Sequence, residues 1–215
     1  MLEGPDGCGK TNHSDLLNEK INKSGIKSIV YHHSKPTVSN SYLAYFNQRK
    51  EVYKSFIESD DDVLVLDRGF YSSMVYSVAA HAKLNLRAVE FDKTTYNKVP
   101  EVVEEINYLT SIKNLFFNIL VINCQDHLLN DRLTKRGEEV LDIDHKMRYF
   151  YRSELNGLPS LENLYDLDPY VFTAIYLNFT GQTKEEFSEH IMKYFNICHR
   201  WIKEYGDGEM FEQST

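Results

Sequence analysis

The stretch Glu3-Gly-Pro-Asp-Gly-Cys-Gly-Lys-Thr11 sets Gly4 and Gly9 around four residues and follows them with Lys10-Thr11, a full match to G-x-x-x-x-G-K-[ST]. Glycines at these places let the backbone curl with its N–H groups inward, forming a nest for an anion. The positive end of a following helix would strengthen it. In this reading Gly4, Asp6, Gly7, Cys8 and Gly9 face the phosphates of ATP, Lys10 reaches the β- and γ-phosphates, and the Thr11 hydroxyl coordinates Mg²⁺. The structural alternative is a glycine-rich turn near the N-terminus. Any P-loop nucleotide hydrolase would satisfy this much, so the loop does not name an acceptor.

Two further sets of residues suit the same chemistry. Asp67-Arg68 follows the apolar run Val63-Leu-Val-Leu66. A carboxylate at the C-terminal end of a strand lies beside the phosphate loop of a doubly wound sheet, where it can hold Mg²⁺ or its waters. An arginine there can fork two phosphate oxygens. The alternative is that Asp67 caps the next helix and Arg68 is a surface cation. Arg132 and Arg136 stand four apart, one helical face, with Gly137 as a stop. Arginines on a mobile segment can close over transferring phosphates and neutralise developing charge. The alternative is a cationic helix end favoured by the macrodipole.

These residues need a scaffold, and the pattern of the chain supplies one. Helical spacing is expected over Thr11–Lys23, over 41–59, from near Ser72, and from Pro100 through Leu109. Asp126 is expected to cap a helix carrying Leu128, Leu129 and Leu133, and Thr183 to Glu186 forms a capping box before a final helix. Residues 26–31, 63–67 and 118–123 read as strands, with a late one over 170–177. Strands that are apolar throughout, separated by amphipathic helices, imply a parallel sheet covered on both faces. Only Met1-Leu2-Glu3 precedes the loop, so its strand is expected to be very short, or the natural chain starts earlier.

The 215 residues suit one domain spanning 1–215, with 42% apolar and 26% charged residues. A net charge of −8 argues against a surface that coats nucleic acid. Three widely spaced cysteines suggest neither a disulfide framework nor a zinc site, and a reducing, cytoplasmic setting is expected. No apolar run approaches a membrane span, and no signal peptide is visible. Cys8, at a helix N-terminus, is expected to be sensitive to thiol reagents.

The chain resembles the thymidylate kinase family of P-loop nucleoside monophosphate kinases. Four stretches carry the resemblance: Leu2–Thr11, Leu43–Arg49, Asp67–Ser77 and Arg132–Gly137. The resemblance implies a three-layer α/β sandwich with a mobile lid at about 133–147, ATP and Mg²⁺ as cofactors, and transfer of a phosphoryl group to dTMP or a close analogue. It implies that Asp6 approaches the acceptor's 3′-hydroxyl, that Tyr45 or Phe46 stacks on the base, and that Arg49 hydrogen-bonds a pyrimidine carbonyl. Ser72 and Ser73 would line the pocket, Tyr76 would favour deoxyribose, Arg68 would grip the acceptor phosphate, and Arg136 would swing in with the lid. Core packing is the alternative for Tyr45, Phe46 and Tyr76. Relatives commonly pair as dimers, so a homodimer is implied, with no interface legible in the sequence.

Three positions depart from the family. Gly69 stands where an aromatic usually follows Asp-Arg, Ser34-Lys35-Pro36 replaces Arg-Glu-Pro, and Glu138-Glu139 follows the lid glycine in place of a further arginine. The alternatives are therefore a deoxynucleoside or modified-base kinase, with Asp67 or Glu3 as base, and a nucleotide-binding regulatory protein without turnover. His32-His33 is either a replacement contact to the acceptor or a surface pair.

Overall fold

The computed structural model describes residues 1–33, 42–81, 83–84, 89–90, 100–112, 115–141, 145–148, 172–179 and 183–205. The family-variant segment 34–36, part of the expected lid, and the stretch Thr180-Gly181-Gln182 lie outside them.

A five-stranded parallel sheet forms the middle of the molecule. Its strands are β1 (Leu2–Glu3), β2 (Ser28–His32), β3 (Val63–Asp67), β6 (Phe117–Cys124) and β7 (Phe172–Phe179), in the order β2-β3-β1-β6-β7. The short first strand is real: Leu2 pairs with Asp67 on one side and Leu120 on the other. Two residues suffice because both neighbours are longer and hold β1 between them. The helices are α1 (Lys10–Lys23), α2 (Tyr42–Ile57), α3 (Phe70–His81), α4 (Pro100–Thr110), α5 (Asp126–Lys135) and α6 (Lys184–Tyr205).

The apolar runs feed two cores because successive side chains of a strand point to opposite faces. On β6, Phe117, Ile119 and Val121 join Tyr53 of α2, Phe70, Tyr71 and Val75 of α3, and Val102, Ile106 and Leu109 of α4. Leu120, Ile122 and Cys124 of the same strand turn the other way. They meet Leu17 and Ile21 of α1, Leu129 of α5, and Phe187 and Ile191 of α6. Helices therefore cover both faces, as the fully apolar strands imply.

Several local expectations hold in detail. α1 stops at Ser24, with Gly25 at φ 87°. The capping box forms: the Glu186 amide donates to Thr183 Oγ1 at 3.2 Å, and the Thr183 amide to Glu186 Oε2 at 2.8 Å. Asp126 is a correction. Gln125 is the N-cap of α5 and Asp126 sits one place inside, where its carboxylate still complements the helix dipole. The antiparallel pair β4 (Lys83–Leu84) and β5 (Val89–Glu90) lies outside anything the periodicity predicted. No described helix is long and apolar enough to cross a membrane.

Candidate active site

The phosphate loop leaves β1 and enters α1, as a strand–loop–helix unit requires. Gly4 (φ 141°) passes so close to β6 that a Cβ there would lie 2.2 Å from the Ile122 carbonyl oxygen. Gly7 and Gly9 also take positive φ. The curled loop folds around its own lysine. Lys10 Nζ donates to the carbonyls of Gly4 (3.0 Å) and Pro5 (2.9 Å). Burial, with Arg68 next, lowers the pKa of the Lys10 ammonium. Cys8 is buried completely, its side chain turned into the core beneath the loop, so the expected reactivity toward thiol reagents lacks an accessible thiol.

The register of the sheet brings the next group together. β3 runs parallel to β1, so its last residue, Asp67, arrives beside the start of α1. Thr11 Oγ1 donates to Asp67 Oδ2. His32, the last residue of β2, places Nδ1 3.3 Å from the same oxygen and Nε2 2.8 Å from Asp15 Oδ1. Among the described residues no three His, Cys, Asp or Glu side chains gather as a metal cage. The hydroxyl and carboxylate of Thr11 and Asp67 nevertheless suit Mg²⁺, which takes few protein oxygens and completes its shell with water and phosphate.

Arg68 adopts φ 75°, a left-handed conformation that costs a non-glycine residue about 1–2 kcal/mol. Buried Glu3 holds the turn in place. Its Oε1 accepts from the Gly69 amide at 2.6 Å and its Oε2 from the Ser72 hydroxyl, while the Arg68 amide donates to the Leu2 carbonyl at 3.0 Å. This turn also explains Gly69: a Cβ there would meet Met1 Sδ at 2.4 Å and Glu3 Oε1 at 3.3 Å. The guanidinium of Arg68 pairs with Asp6 Oδ1 and lies 3.4 Å from Ser72 Oγ. The Tyr76 hydroxyl donates to Asp6 Oδ2 at 3.2 Å. Burial alone would raise the Asp6 carboxyl, but Arg68, then Lys10, the Tyr76 hydroxyl and Arg136 together hold it below its ordinary value.

From α5 and its C-cap, Arg132 donates to the Gly7 carbonyl at 2.9 Å, and Arg136 pairs with Glu138 Oε2 at 3.1 Å. Both border one cleft of about 540 Å³ together with the loop, Asp67 and Arg68. The sequence also pointed to α2, and there the candidates divide. Phe46 is buried against Tyr108, ring centroids 6.3 Å apart. Tyr45 is half-buried and packs on His33 at 4.7 Å. Arg49, 1% exposed, makes a two-armed pair with Glu105 at 2.7 and 2.6 Å, and its Nη1 faces His33. Ser73 sits half-buried on α3.

Sequence reasoning passed over His13, Glu105 and Lys184, and it named Glu3 only as an alternative base, not as the residue that holds the Arg68 turn. Glu105 had a signal: it falls between Val102 and Ile106 on the apolar stripe of α4, where a carboxylate needs a buried cation. His13 and Lys184 border the cleft from α1 and α6, and nothing local marks them. No protein-family model matches this chain, and no curated protein does.

Proposed function

We propose that the protein is an ATP-dependent kinase that phosphorylates a deoxypyrimidine nucleoside monophosphate, dTMP or a close analogue, to the diphosphate. The observation that carries this reading is the meeting of the loop lysine, the Thr11–Asp67 pair and three arginines on one cleft at the C-terminal end of a parallel sheet. Phosphoryl transfer needs positioning and charge stabilisation more than covalent help. Lys10 and Arg132 hold the donor's phosphates. Arg68 orients the acceptor's phosphate, and Arg136 neutralises charge as the transferring group moves between them. Thr11 and Asp67 would hold Mg²⁺, which when bound would neutralise charge on the donor's phosphates. Tyr76 and Ser72 bound the acceptor's sugar side, and Tyr45 offers a ring for its base.

A monophosphate acceptor arrives ionised and needs no strong base. A hydroxyl acceptor needs one, and both candidates for that task are engaged. Glu3 is fully buried and bonded to Gly69 and Ser72, and the Asp67 carboxylate accepts from Thr11. This favours a monophosphate over a nucleoside. The test is an acceptor panel with ATP and Mg²⁺, reading ADP release and product mass. A pyrimidine deoxynucleoside diphosphate as product is the expected result. Phosphate on a nucleoside hydroxyl overturns the acceptor assignment, and nucleotide binding without any product overturns catalysis.

A further inference from the structure

His33 has one ring nitrogen engaged and the other idle. Its ring packs on Tyr45 and borders the cleft next to Asp67 and Arg68. Its Nε2 lies 3.4 Å from Arg49 Nη1. A guanidinium can only donate, so Nε2 is the acceptor and the neutral ring carries its proton on Nδ1. That Nδ1 is buried and has no hydrogen-bond partner among the described residues.

Arg49 cannot turn away to change this arrangement. Its Nε and Nη2 are committed to Glu105, and the Tyr53 hydroxyl donates to the same carboxylate at 2.9 Å. The line Glu105–Arg49–His33 thus runs from the core to the cleft and fixes which nitrogen holds the proton. A buried donor without a partner is costly, and a ligand oxygen in reach would offset that cost. The Tyr45 ring beside it is a surface for a planar base, which makes a base carbonyl the matching oxygen.

Resting on the kinase reading above, we propose that His33 is a specificity-determining residue, donating from Nδ1–H to a carbonyl oxygen of the acceptor's pyrimidine, with Arg49 as the positioning residue that holds its tautomer. The contact to the base then comes from His33, one residue nearer the cleft than the arginine behind it.

Three substitutions separate the two nitrogens. Asparagine places an amide near the position of Nδ1, glutamine near that of Nε2, and alanine removes both. Calorimetric titration with dTMP and with thymidine, and KM for dTMP and ATP, would be measured for wild type, His33→Asn, His33→Gln and His33→Ala. The expected result is that Gln and Ala weaken dTMP and thymidine binding about 10-fold and Asn about 3-fold or less, with the ATP KM unchanged. Three outcomes overturn the proposal: Gln binding like wild type while Asn fails, all three variants binding alike, or a loss seen with dTMP and absent with thymidine. In the last case the oxygen belongs to the phosphate. If wild-type protein binds no pyrimidine nucleotide, the acceptor reading itself falls, and this proposal with it. Unchanged melting temperatures for the variants exclude a folding defect.

Discussion

At the scale of residues, Lys10 shows how the loop prepares for an anion. Its ammonium is held by two carbonyls of the loop and stands 3.8 Å from Asp6. Incoming phosphate oxygens would replace contacts that are already short and directed, so little reorganisation is needed. Lys10→Ala is expected to lower kcat by at least about 10²-fold with an unchanged circular dichroism spectrum. Retained turnover would remove this lysine from the mechanism. Gly4 makes the contrasting case. Gly4→Ala should destabilise the fold by at least about 2 kcal/mol, since the new methyl meets the Ile122 carbonyl and the backbone is strained as well. Gly25→Ala, with open space around its Cβ, should lose only about 1–2 kcal/mol from its φ alone. Chemical denaturation of the two variants measures the difference.

At the scale of elements, α2 and α4 are joined by the buried Arg49–Glu105 pair. Removing one partner strands a charge in the core, so Glu105→Leu should destabilise by about 3–5 kcal/mol. The double variant Arg49→Met, Glu105→Leu should recover most of that loss, because the pair is replaced by apolar volume. Urea unfolding of both variants checks this, and equal losses would show that the pair matters through something other than the stranded charge. The same pair marks a boundary of what the sequence could tell. The phosphate loop is contiguous, and its geometry follows from residue types within eight positions. β3 and β6 were legible because their apolar runs are bounded by charged or turn residues. The link between Arg49 and Glu105 joins positions 56 apart, and only the packing of two helices brings them face to face. The β4–β5 pair was invisible for a different reason: Asn85-Leu-Arg-Ala88 lacks the Asn-Gly or Asp-Gly signal of a tight hairpin.

At the scale of the whole molecule, β6 serves both cores, and two histidines report on the integrity of each side. His13, lowered to about 4 by burial and then by Lys184 and Arg132, belongs to the face of α1 and α6. His33, lowered to about 4, follows β2 and packs on Tyr45 of α2. In the unfolded chain both titrate near 6.5. Between that value and about 4 the unfolded state binds more protons than the folded one, so stability falls as pH is lowered through this window. The melting temperature is expected to drop steadily from pH 6.5 to 4, continuing a fall that begins near pH 8 where the buried Met1 ammonium, lowered to about 6, contributes in the same sense. His13→Gln should reduce the slope, and an unchanged slope would show that this ring is protonated in the folded protein.

The contact between Asp6 and Arg68 has a consequence for how the cleft responds to its surroundings. Most anion sites wait with a mobile ion from solution, and a ligand gains by releasing it, so affinity falls steeply as salt rises. Here the waiting anion is part of the chain. It cannot diffuse away, its local concentration does not change with the buffer, and a phosphate that takes its place releases nothing to the solvent. On the kinase reading proposed above, an incoming phosphate exchanges with one tethered carboxylate at Arg68, while Lys10, Arg132 and Arg136 on the same cleft keep their salt-screened attraction for it.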